Sequence, residues 1–351
     1  MKAYKQPWLN SLRSDWIFIL LPPFFSLLLI ILFPVQFQQS AKMPIAYWVV
    51  LVVFIDVAHV YSTLYRTYFN PQNLRNKYTL LLAIPICCYM AGILIYQLND
   101  LWFWRTLAYL AVFHFIRQQY GFMKLYSRQE ENKFNFIDKL AIYSATVYPL
   151  IFWHLSNDRN FNWLIEGDFV HFQNNFLLKI STVVYIIVLI AYILKEMLLV
   201  IKNRYINIPK NVLIAGTYLS WYFGIVYFNG DMAFTTLNVI SHGIPYMALI
   251  WFFEKKKIAQ SEDSTSKILK LTFGKHGITY FLITLLLLAY FEESLWDGLV
   301  WKENQSVFLS FSFLPNNTDQ FWLSFIVPLL AIPQVTHYVL DGFIWKKKHK
   351  F

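Results

Sequence analysis

Charge is scarce in this chain. Only 14% of its 351 residues are Asp, Glu, Lys or Arg, against roughly a quarter in soluble globular domains, while 57% are apolar and 20% aromatic. That balance excludes an ordinary soluble domain and predicts an integral membrane protein. Cysteine is nearly missing. Cys87 and Cys88 are the only two, adjacent inside an apolar run, which excludes a disulfide framework. No glycine-rich phosphate loop, internal repeat or low-complexity tract is present. The first apolar run, Trp16 to Val35, lacks a small-residue cleavage site and is interrupted by Pro22-Pro23. It reads as a retained helix and not as a cleaved signal peptide.

What is present is a series of long apolar runs. The fold class they predict is all-α, a polytopic helical bundle of about ten transmembrane helices. The spans cover approximately 15–36, 44–67, 78–98, 101–122, 136–155, 176–201, 211–228, 231–253, 278–296 and 320–345, each near the length a bilayer requires. Residues 1–351 are expected to form a single transmembrane domain, with 254–277 as a cytoplasmic loop and 297–319 as an outer loop. The net charge of +10 resides in short segments between the runs. Basic residues crowd the N-terminus, the loops after the second, fourth, sixth and eighth runs, and the C-terminus. The other five loops carry at most one Lys or Arg each. This alternation predicts that both termini are cytoplasmic, and it argues against a nucleic-acid partner.

Four of the eight histidines fall inside the runs. His59, His114, His242 and His337 each lie roughly 7 to 12 residues before a basic cytoplasmic end, which places them in one layer at a depth of roughly 10 to 18 Å. Each has an oxygen-bearing companion three or four residues away on the same helical face. Asp56 accompanies His59, Gln118 accompanies His114, Asn238 accompanies His242, and Asp341 accompanies His337. Intramembrane polar groups are costly and mark functional sites. Imidazole suits Fe, Zn, Cu and Ni, and a ligating His commonly donates its other N–H to a carboxylate or carbonyl. The pattern predicts a metal site of His59, His114, His242 and His337, with Asp56 and Asp341 as ligands or orienters. Arg117 lies near the same layer, in reach of a carboxylate or of a polar substrate head. Spacing alone does not choose the metal.

Several of these helices, DVAHVYSTLYRTYF, VFHFIRQQYGF, NVISHGIPYMALIW and THYVLDGFIW, look like those of polytopic bacterial membrane proteins, and more distantly the pattern resembles the Brp/Blh family of membrane β-carotene 15,15′-dioxygenases. The stretch HFIRQ is similar to a His-x-x-Arg-His element of that family, with Gln118 in place of the second His. The resemblance implies iron(II) as the metal, with zinc the alternative, His59, His114, His242 and His337 as its ligands, and O₂-dependent oxidation of a lipid-soluble substrate such as a carotenoid in the bacterial inner membrane. Its partners would be that substrate and membrane lipids. The histidine boxes of membrane desaturases are absent. Two other classes stay open. An acyl or headgroup transferase would use His242 with Asn238 as a membrane-buried base, and a proton-coupled transporter would use the intramembrane Asp and His residues as a relay.

Overall fold

A computed structural model of the chain describes residues 5–38, 43–130, 134–260, 266–315 and 319–345. Among these residues the secondary structure is helical, with no strand. The principal helices are α1 (Leu12–Leu20), α2 (Pro22–Leu32), α3 (Ile45–Arg66), α4 (Pro71–Leu98), α5 (Asp100–Tyr126), α6 (Asn135–Leu155), α7 (Asn175–Asn203), α8 (Ile208–Trp221), α9 (Asp231–Ala259), α10 (Gly277–Trp301), α11 (Gln320–Leu330) and α12 (Ile332–Ile344). Five of them, α3, α4, α7, α9 and α10, are long and apolar enough to cross a membrane. The number rises to seven if the bent pairs α1–α2 and α11–α12 each count as one span. Lys and Arg shorten the apolar stretch of α5 and α6, and α8 is short.

The boundaries of these helices follow local chemistry. Asn70, Asn174 and Asn207 accept from the backbone N–H three residues on, and Pro71 and Pro209 occupy first-turn positions where no N–H is needed. Pro22-Pro23 removes two N–H donors, and α1 and α2 bend there by 52°. Pro333 accompanies the 43° bend between α11 and α12.

Contacts divide the chain into two compact units. Unit 1 comprises Met1–Met43 and Phe115–Pro245, and unit 2 comprises Pro44–His114 and Tyr246–Phe351. In unit 1, α8 packs on α1, α2 and α6, and α6 packs on α7. Ile30, Phe37, Phe228, Met232 and Leu237 form one of its apolar clusters. A Cβ on Gly216 would lie 2.7 Å from Pro23 Cγ, so only glycine allows α8 and α2 to approach this closely. The loop before α7 is pinned by Arg159, which donates to the carbonyls of Phe228 and Val226. Burial lowers the pKa of this guanidinium to about 10.

In unit 2, α4 packs on α11 and α12, and α3 packs on α10 and α12. The core runs from Val53, Val57 and Tyr65 through Tyr246 and Ile250 to Phe281 and Leu285. Gly92 plays the role that Gly216 plays in unit 1, since its Cβ would stand 2.9 Å from Pro328 Cβ. Within residues 254–277, α9 runs on to Ala259. A short helix, Lys267–Phe273, sends Leu269 and Phe273 into the same core. Arg66 and Glu254 form a buried ion pair at 3.0 Å, capped by Phe253 and Trp345 against the guanidinium.

The outward faces are apolar. On α7, Val183, Val184, Ile187, Leu194, Leu198 and Ile201 are exposed. Such a surface needs an acyl-chain environment, as expected of an integral membrane protein.

Candidate metal centre

Helix α3 has π-type turns over Val49–Val57 before it reverts to α-helix at Ala58. π turns widen the helix and are frequent at functional sites. Asp56 lies in the widened part and His59 just beyond it. His59 Nδ1 lies 3.6 Å from Asp56 Oδ1. His114 comes from α5 and His337 from α12, just after the bend. His59, His114 and His337 are all buried within unit 2, at 1–2% exposure, although charged and polar groups rarely reach such depth without a partner or a task. One ligating atom from each ring falls within 4.8 Å of the other two.

The hydrogen bonds around two of these rings form a chain that one order of protons satisfies throughout. Asp341 Oδ1 accepts from Tyr246 Oη at 2.7 Å and from Trp345 Nε1 at 2.7 Å. With the Tyr246 proton committed to Asp341, its oxygen accepts from Thr63 Oγ1 at 3.1 Å. Thr63 has then spent its own proton and accepts from His337 Nδ1 at 2.7 Å. Asp341 Oδ2 meanwhile lies 3.5 Å from His114 Nδ1 and favours the proton there. One carboxylate thus sets the tautomer of two imidazoles, and both are left with a lone pair on Nε2. Those two Nε2 atoms face each other at 3.1 Å.

Two lone pairs at that separation repel unless a cation lies between them. Nitrogens bound about 2.0–2.1 Å from one metal ion are spaced by about 2.8–3.0 Å at octahedral angles and about 3.3–3.4 Å at tetrahedral angles, and the observed distance lies between the two. A divalent ion would also compensate Asp56 and Asp341, and N–H donation from a ligating His toward a carboxylate or hydroxyl is the usual second layer of a metal site. The donor set fits a borderline or hard-to-intermediate transition metal.

Of the residues expected from the sequence, His59, His114, His337, Asp56 and Asp341 belong to unit 2. His242, Asn238, Gln118 and Arg117 belong to unit 1. The His242 ring stacks on Phe115, with centroids 3.4 Å apart and planes 6° from parallel. The Asn238 side chain donates back to the Phe234 carbonyl at 2.9 Å. Gln118 donates to the His242 carbonyl at 2.9 Å and Gln119 to the Ser241 carbonyl at 3.5 Å. Pro245 has no N–H to offer Ser241 four residues earlier, so the two glutamines dress the backbone where the proline opens α9. Arg117 donates to Tyr143 Oη at 2.7 Å and lies over the Tyr120 ring.

Unit 2 also holds polar residues that the spacing of histidines did not single out. Thr63, Tyr246 and Trp345 carry the relay from Asp341. Glu292 is 4% exposed and accepts from Tyr61 at 2.5 Å and from Gln334 at 3.3 Å. Tyr61 and Tyr246 stood among 23 tyrosines, too many for composition to mark them. Thr63 carried a usable signal, since it lies four residues after His59. Comparison with protein-family models, with characterised proteins and with solved structures finds no match to this chain.

Proposed function

We propose that this chain is a membrane-embedded, metal-dependent oxygenase that uses non-haem iron and acts on a lipid-soluble substrate of the carotenoid kind. The observation that carries the reading is the buried trio of imidazoles with one ligating atom of each within 4.8 Å of the other two, two of them with Nε2 atoms 3.1 Å apart. In this reading His59, His114 and His337 hold the metal, and Asp56 and Asp341 orient the rings. Iron in a three-histidine setting keeps open positions at which O₂ is activated. The chain's own residues exclude water through the apolar core of unit 2, hold the Nδ1 protons of His114 and His337 at Asp341 and Thr63, and present the Tyr338 ring 5.2 Å from that of His114. The distant resemblance to the Brp/Blh family supports iron over zinc. The chain would cross the bacterial inner membrane ten times with both termini in the cytoplasm, as the alternation of basic loops suggests.

Elemental analysis of the full chain, purified in mild detergent, tests this. About one iron per chain is expected, lost in His114→Ala; less than about 0.3 metal per chain, unchanged in that variant, overturns the metal site. Zinc in place of iron would keep the site and remove the oxygenase. Activity that survives chelation and disappears only in His242→Ala would favour the transferase using His242 and Asn238. Proton-linked uptake into vesicles would favour a transporter.

A further inference from the structure

Unit 1 contains a second buried polar centre that the metal reading does not use. Asp138 of α6, Glu196 of α7 and Glu130 share the ammonium groups of Lys195 and Lys210. Lys195 pairs with Asp138 and with Glu196. Lys210 reaches Glu196 at 2.7 Å, Glu130 at 2.9 Å and Asp138 at 3.6 Å. Three carboxylates therefore face two ammoniums, and one negative charge is left over. Both lysines approach Asp138 on Oδ1. Its other oxygen, Oδ2, is buried without a hydrogen-bond partner among the described residues, on a side chain that is 1% exposed as a residue. A buried carboxylate oxygen left this way is costly unless a donor reaches it.

Asp138 forms part of the wall of an open cleft of about 220 Å³. Ser127, Asn135, Lys124 and Lys139 line it as well, and the two lysines are exposed. Phe136, also on the cleft, is 66% exposed. The cleft therefore combines a carboxylate in its wall whose Oδ2 has no hydrogen-bond partner among the described residues, a rim of ammonium, hydroxyl and amide donors, and an apolar lip. We propose that it binds the headgroup of phosphatidylethanolamine from the surrounding bilayer. The lipid's primary ammonium donates to Asp138 Oδ2 and supplies the missing positive charge. Its phosphate meets Lys124 and Lys139 with Ser127 and Asn135, and its glycerol and acyl chains leave over Phe136. Phosphatidylcholine carries the same phosphate, but its quaternary ammonium has no N–H to give. Phosphatidylglycerol has no cation to offer.

The test is competitive lipid retention. The full chain is reconstituted in nanodiscs holding equal amounts of the three lipids and then released into mild detergent, and the lipids still bound are measured by native mass spectrometry. Phosphatidylethanolamine should be retained at least about fivefold over the other two. Asp138→Asn should remove the preference over phosphatidylcholine, and the pair Lys124→Ala with Lys139→Ala should lower retention of all three. Equal retention of the three lipids by the wild-type chain overturns the proposal. So does unchanged retention in the lysine pair, which lies on the surface and decides the matter even if Asp138→Asn does not fold. Glycerophosphoethanolamine that bound as tightly as the lipid would overturn the lipid as the occupant.

Discussion

The two units meet carboxylates with basic groups in different ways. In unit 1, Asp138, Glu196 and Glu130 are met by ammonium groups from the chain itself, Lys195 and Lys210. In unit 2, Asp56 and Asp341 are met by imidazoles, and Asp341 also accepts from Tyr246 and Trp345. A lysine brings its own charge, so the first centre is compensated by folding, apart from one negative charge and the unpartnered Oδ2 of Asp138. Neutral imidazoles bring none. They can relay the demand of a carboxylate outward and gather ring nitrogens at one point, the arrangement on which the proposed metal site rests. The comparison separates a centre that locks helices together from one arranged to hold something.

The sharpest way to break this comparison is to remove an imidazole. His337→Ala deletes one ligand and the end of the relay from Asp341. Metal content should fall from about one per chain to below about a tenth. Metal is counted per folded chain, so that a loss of fold is read separately from a loss of metal. Metal content that stayed at the wild-type level would place the metal, if any, elsewhere.

Removing an ammonium from the other unit should do the reverse. Lys210 is fully buried, and Lys210→Met leaves three carboxylates to share Lys195. Breaking a buried pair in this way costs about 3–5 kcal/mol, read as a lower unfolding midpoint in detergent. Metal per folded chain should not change. If instead metal and stability fell together, the two centres would not be independent.

A subtler change separates the ligands from the residues that aim them. Thr63→Val keeps the shape of the side chain but cuts the relay between Tyr246 and His337 Nδ1. His337 is then free to place its proton on Nε2, where it opposes metal binding. Loss of such an orienting partner typically weakens affinity by about 10–100-fold. A competition titration against a chelator of known affinity measures this. An affinity within about twofold of wild type would mean that the order of donors argued for Asp341, Tyr246, Thr63 and His337 is not what holds the ring.

Much of this was legible in the chain. Apolar length and scarce charge gave the helices, and spacings of three and four residues placed Asp56 beside His59 and gave each intramembrane histidine a polar companion. What the spacing could not carry is rotation and long-range pairing. Asp341 lies four residues after His337, yet it faces the His114 ring and reaches His337 only through Tyr246 and Thr63. That path joins residues up to 274 positions apart, a separation at which sequence periodicity says nothing. Arg66 forms its ion pair with Glu254, a residue that in the sequence opens a polar stretch assigned to a loop. The spacing gives Gln118 to His114 as a polar companion; its amide and that of Gln119 are used elsewhere. Their donors meet backbone carbonyls near Pro245, a need that arises only once α5 and α9 are packed together in unit 1.

His242 gives the smallest effect and the finest test of the comparison. At equal depth and with Asn238 four residues before it, it carries the same signature as the other three histidines. The difference lies in what the ring meets. His242 is flat against Phe115, and its companion Asn238 turns back to its own helix at Phe234, whereas His337 and His114 are each held edge-on by an oxygen atom. A ring held by stacking contributes packing, worth about 0.5–1.5 kcal/mol for an aromatic pair beyond its buried area. His242→Leu should therefore lower stability by about 1 kcal/mol and leave metal content at the wild-type value, measured on the same preparation. A loss of metal as complete as in His337→Ala would make His242 a fourth ligand, and the distinction between a stacked and an oxygen-held imidazole would lose its meaning here.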